Sequence, residues 1–64
     1  MSPAEIRQAR ETLGLTPAQI APLLGYSDKS RIYEIEGGKR NPSASALALL
    51  RAYLDGYRPK GWPQ

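Results

Sequence analysis

The chain has 64 residues, enough for one domain with a small core, so regular helix packing or dimerisation is expected to supplement what burial alone provides. It contains neither cysteine nor histidine, which excludes disulfides, thiolate chemistry, imidazole bases and the usual zinc ligand sets. Its net charge of +3 is modest, and no apolar run approaches the roughly 20 residues of a membrane span, so a soluble cytoplasmic protein is the expectation.

In chain order, Ser2-Pro3 reads as N-cap and first residue of a helix, with Glu5 placed to complete a capping box. Ile6, Ala9 and Leu13 recur at helical spacing and Gly14 stops the helix. Arg10 interrupts that apolar row, and its methylenes can lie over the core edge. A second helix opens at Thr16-Pro17 with Gln19 completing another box. Ile20, Ala21 and Leu24 share one face, and Gly25 can close the helix in the left-handed conformation. Pro22 conflicts with this pattern, because it removes a hydrogen bond to the carbonyl of Ala18. Either the helix is kinked or opened there, or it starts later with Pro22 in its first turn.

A third helix follows, with Ser27 as N-cap and Asp28 in its first turn. Ile32 and Ile35 face inward, while Lys29, Ser30, Arg31, Tyr33 and Glu34 face out, and Gly37-Gly38 ends it. Two short helices joined by a tight turn, the second with a polar and partly basic outer face, make a helix-turn-helix whose second helix fits a DNA major groove. Lys29, Arg31, Lys39 and Arg40 lie within twelve residues and form a candidate phosphate-contacting patch.

Asn41 or Ser43 caps a fourth helix over residues 43–55, ending at Asp55-Gly56. Ala46, Leu47, Leu50 and Leu54 form a core stripe, while Leu49, Ala52 and Tyr53 form a second stripe offset from it. Either a two-fold dimer contact covers Leu49 and Tyr53, or Tyr57 and Trp62 of the tail fold back over them. Pro59, Gly61 and Pro63 keep the tail irregular. The expected fold is all-α: a compact four-helix domain over residues 1–56, with residues 57–64 packing on it or on a dimer partner.

Ile6, Arg10, Leu13-Gly14-Leu15-Thr16, Ile20-Ala21, Leu24-Gly25, Glu36-x-Gly38 and Pro42 stand in the order of the phage repressor/Cro type of helix-turn-helix protein. The chain resembles that family, often called the XRE family, over residues 4 to 55. The resemblance implies a lambda-repressor-like fold, with Arg10 and Glu36 paired as a partly buried ion pair. It matches Lys29, Ser30 and Glu34 to base-contacting sites, flanked by Arg31 and Tyr33. Lys29 and Arg31 can donate to guanine, Ser30 can donate or accept, Glu34 can accept from cytosine N4, and Tyr33 can touch a thymine methyl or a phosphate. Phosphate contacts fall to Thr16, Ser27, Lys39, Arg40 and Asn41, with helix N-termini contributing amides.

The chain departs from the family at three places. Pro17 stands where a phosphate-binding glutamine is common, and the connection from Gly25 to the third helix is one residue longer than in the simplest members. Where the family often has a fifth helix, residues 57–64 are expected to be irregular. The function expected from the resemblance is a sequence-specific repressor, binding double-stranded DNA at an inverted-repeat operator as a homodimer through Leu49, Tyr53, Tyr57 and Trp62. An antitoxin or adaptor whose tail grips a partner protein is the alternative. Glu5, Glu11, Asp28, Glu34, Glu36 and Asp55 show no metal-ligand spacing, so no catalysis, cofactor, metal or small-molecule ligand is expected.

Overall fold

A computed structural model describes residues 1–63; Gln64, the end of the expected tail, lies outside the described residues. The described residues form four helices in the order α1 (Pro3–Thr12), α2 (Pro17–Leu23), α3 (Lys29–Glu36) and α4 (Ala44–Leu54). Each start has a local cause. Ser2 and Thr16 sit in extended backbone, accept from the amides of Glu5 and Gln19, and receive those side chains on their own N–H groups. Ser43 caps α4 by accepting from Ala46 N–H at 3.1 Å, which decides between it and Asn41.

The third start differs from expectation. Asp28, not Ser27, is the N-cap of α3: its backbone is extended and its carboxylate accepts from Ser30 N–H at 3.2 Å. Two neighbouring residues of nearly equal capping strength leave that choice to the length of the preceding turn. The other open choice resolves at Thr16. Helix α2 begins there, with Pro22 inside it on the exposed side.

All four helices end alike. The amide two residues past each C-cap returns to a carbonyl of the last turn: Leu15 to Arg10, Tyr26 to Ala21, Lys39 to Glu34 and Tyr57 to Ala52. A left-handed glycine makes each return possible, as at Gly38 with φ of 80°.

The core gathers Ile6, Ala9, Leu13, Leu15, Ile20, Ala21, Leu24, Ile32, Ile35, Ala46, Leu50 and Tyr53. Helix α3 packs against both α1 and α2, and its two isoleucines are each 2% exposed. Two tyrosines tie α4 to this unit. Tyr53 Oη donates to the Leu23 carbonyl at 2.6 Å, and Tyr26 Oη accepts from Ser43 N–H at 3.1 Å.

Tyr53 corrects the expected division of α4. It is 3% exposed and belongs to the core stripe with Ala46 and Leu50, whereas Leu54 stands 41% exposed. Spacings of four and three residues from Ala46 through Leu50 to Tyr53 are as good a helical row as the one ending at Leu54. The buried tyrosine keeps its hydroxyl satisfied by donating to the Leu23 carbonyl at the end of α2. Tyr53 is thus covered within its own chain. Leu49 and Trp62 are half-buried against the same core, and only Tyr57, 56% exposed, keeps an open face.

The tail folds back on Tyr53. Trp62 meets Tyr53 edge-on at 5.2 Å, and Tyr57 stacks along Tyr53 at 6.0 Å. Arg58 lies over the Trp62 ring at 4.4 Å and donates to the carbonyls of Tyr53 and Tyr57 at 2.7 and 2.9 Å. Its charge therefore caps the negative end of α4. No helix among the described residues is long and apolar enough to cross a membrane.

Candidate nucleic-acid interface

The outer side of α3 is set by what its inner side buries. With Ile32 and Ile35 turned into the core, Lys29, Ser30, Arg31 and Tyr33 are exposed and Glu34 is half-buried along the same edge. Lys39, Arg40 and Asn41 follow on an exposed loop. The loop lies close to the helix because the Lys39 amide closes back on the Glu34 carbonyl at 2.8 Å. Gly37 makes that turn tight, since a Cβ there would meet the Tyr33 carbonyl at 3.1 Å.

These side chains are not independent. Glu34 Oε1 accepts from Arg31 Nη1 and from Arg40 Nε, both at 3.0 Å. The two arginines hold the Glu34 carboxyl below its ordinary range, Arg31 more than Arg40. Ser30 is also engaged. Its hydroxyl donates to Asp28 Oδ2 at 3.3 Å, which leaves its lone pairs to accept from an exocyclic base amine. Lys29 and Lys39 have no ion-pair partner among the described residues.

Arg10 and Glu36 form the support behind this surface. Arg10 Nε and Nη2 donate to the two Glu36 oxygens at 2.7 and 3.1 Å, and Nη1 donates to the Leu15 carbonyl at 3.0 Å. The side chains are 13% and 9% exposed. The hydrogen bonds to Glu36 raise the Arg10 pKa further, so the guanidinium is charged at every accessible pH. One fork thus pins the end of α1, the start of the next loop and the end of α3 together. Tyr33 stands 57% exposed on the outer side, bordering a shallow groove with Arg7 and Arg10.

The expected phosphate contacts divide. Ser27, Lys39, Arg40 and Asn41 are exposed. Thr16 is exposed too, but its amide already donates to Gln19 Oε1 at 2.9 Å and its hydroxyl accepts from Gln19 N–H. The residue after it is Pro17, which has no N–H. The expected amide donation from this helix start is therefore largely used internally. The role of Asp28 escapes the sequence because Ser27 beside it offers the same chemistry, and the Glu34 clamp escapes because it depends on how the loop folds.

Comparison with known proteins adds one finding. A family model described as a helix-turn-helix domain matches residues 4–58, most of the chain. No curated protein and no solved structure matches it. With two short helices at a tight turn, a buried isoleucine row and a match over that span, the chain belongs to the helix-turn-helix domain family of DNA-binding proteins.

Proposed function

We propose that this protein is a sequence-specific regulator of transcription of the phage repressor/Cro (XRE) type, which inserts α3 into the major groove of double-stranded DNA. The observation that carries the proposal is the division of α3: both isoleucines are 2% exposed, while Lys29, Ser30, Arg31 and Tyr33 stand open beside the exposed Lys39 and Arg40. A helix fixed on one side and polar on the other can present donors and acceptors to base edges without rearranging. In this proposal Lys29, Ser30 and Arg31 read bases and Tyr33 lies at the groove edge. Ser27, Lys39, Arg40 and Asn41 contact phosphates, which supply most of the affinity.

The protein acts as a homodimer on an inverted repeat and represses by covering a promoter. Tyr57 and Leu54, exposed at the end of α4, take the place of Tyr53 in the dimer contact. A partner-gripping tail is the weaker reading, because its main anchor, Trp62, is packed on Tyr53 of the same chain.

Selection of bound duplexes from a random DNA pool tests the proposal. The expected product is a two-fold repeat with half-sites about one helical turn apart, roughly 10 base pairs. A pool that yields no enriched sequence, with no salt-dependent DNA binding, would refute it.

A further inference from the structure

We propose that Glu34 determines specificity by position: its carboxylate holds Arg31 and Arg40 on itself, so that the two cations pass to DNA only where the sequence rewards the exchange. The proposal rests on the DNA-binding reading above and adds to acceptance from a base amine a second part for Glu34, the hold on two arginines.

Three observations support it. A single oxygen, Glu34 Oε1, receives both guanidinium groups at 3.0 Å, one from a turn earlier on α3 and one from the loop beyond it. The return of Lys39 N–H to the Glu34 carbonyl builds this arrangement into the backbone, since it carries Arg40 back over the helix. All three side chains are more than a third exposed, at 46% for each arginine and 38% for Glu34. Ion pairs this exposed are weak, so a well-placed guanine edge or phosphate can outcompete them.

The cost of that competition depends on sequence. The major groove offers acceptors at guanine O6 and N7, adenine N7 and thymine O4, and donors only at the amines of cytosine and adenine. A carboxylate brought against acceptors or phosphates is repelled. The same carboxylate beside an amine is accommodated, with both arginines released to neighbouring acceptors. Glu34 therefore penalises binding to arbitrary DNA more than binding to the matching site. One acid couples a base-reading arginine to a backbone-contacting one.

The test compares the full-length parent, Glu34→Gln and Glu34→Asp by titration of the selected duplex and of a random-sequence duplex over a range of salt. Glu34→Gln is expected to bind random DNA several-fold more tightly, with a log-log salt slope steeper by about one unit as one more phosphate is neutralised. Its ratio of specific to non-specific affinity should fall, and Glu34→Asp, which keeps the charge, should stay near the parent. Unchanged random-DNA affinity and slope in Glu34→Gln overturns the proposal. So does a change confined to preference at one base pair with random-DNA affinity unaltered, which would make Glu34 a direct reader and nothing more. A parent that binds neither duplex overturns the DNA-binding reading itself, an outcome visible before any variant is compared.

Discussion

Glu34 and Glu36 lie two residues apart on α3, each paired with arginine at close to 3 Å, and they do different things. Glu36 points back toward α1, where its side chain is 9% exposed and meets Arg10 through both oxygens. Glu34 points along the outer edge, 38% exposed, and offers one oxygen to two arginines. Bond lengths do not distinguish the pairs; the surroundings do. Where the side chains are largely covered, a charge that loses its partner is poorly solvated, so breaking the pair destabilises the fold. At the surface water replaces either partner, so the pair contributes little to stability and can be exchanged for a ligand. A helix two turns long thus carries a fixed side and an exchangeable side.

The largest way to break this comparison is at Arg10. Arg10→Ala leaves Glu36 without its partner and the Leu15 carbonyl without a donor, and should cost ~3 kcal/mol. In a domain this small each kcal/mol moves the melting temperature by about 4–8 °C, so the variant should melt roughly 12–24 °C below the parent. A melting curve within a few degrees of the parent would place the pair in water in all but appearance.

The opposite behaviour is expected across the helix. Lys29→Ala and Arg31→Ala should each lose ~1–3 kcal/mol of discrimination between the selected site and a mismatched one. Both should melt within about 0.5 kcal/mol of the parent, as surface substitutions usually do. Competition titration and thermal unfolding on the same samples check both halves. Equal loss in both measurements would erase the distinction between the two sides.

Much of the fold is legible in the sequence because it is specified locally. Ser2, Thr16 and Ser43 each precede a helix by one residue, and glycines stand one past each C-cap, so caps and returns follow from spacing alone. The interior isoleucines follow from period, and the apolar row of α1 marks Arg10 as unusual by interrupting it. What is not legible depends on contacts between distant segments. Tyr53 and Leu54 are adjacent and both fit a helical stripe; only the position of the Leu23 carbonyl decides which is buried. Ser27 and Asp28 compete as caps until the turn length is known. The Glu34 clamp requires Arg40, one residue past the Lys39 return, to fold back onto the helix, which no side-chain pattern announces. The surface side of α3 is where the sequence leaves the most open, because solvated residues are not constrained by packing.

Tyr53 extends the comparison to a buried polar group without charge. Tyr53→Phe removes the donor to Leu23 and should cost about 1–2 kcal/mol. Burial raises the Tyr53 hydroxyl above its ordinary value of 10.0. Its contribution is then complete below the unfolded value and is lost as pH rises through the folded one. Urea midpoints of the parent should fall more steeply above about pH 10 than those of Tyr53→Phe. Parallel alkaline limbs would show that the hydroxyl is solvated.

The smallest effect is the most discriminating. Glu34→Gln should leave the urea midpoint at neutral pH nearly where the parent's lies, although it removes both surface ion pairs. The arginines lower the Glu34 carboxyl, so whatever stability it lends is present above the unfolded carboxylate range and is lost as pH falls through the lowered folded value. Because water screens that contribution, the parent and Glu34→Gln should follow nearly the same stability curve from neutral pH into acid. The two proteins would then differ in their grip on random DNA and hardly at all in their resistance to unfolding. A variant whose midpoint instead fell well below the parent's would make Glu34 part of the scaffold like Glu36, since a residue whose removal loosens the fold cannot be free to give up its arginines to a ligand.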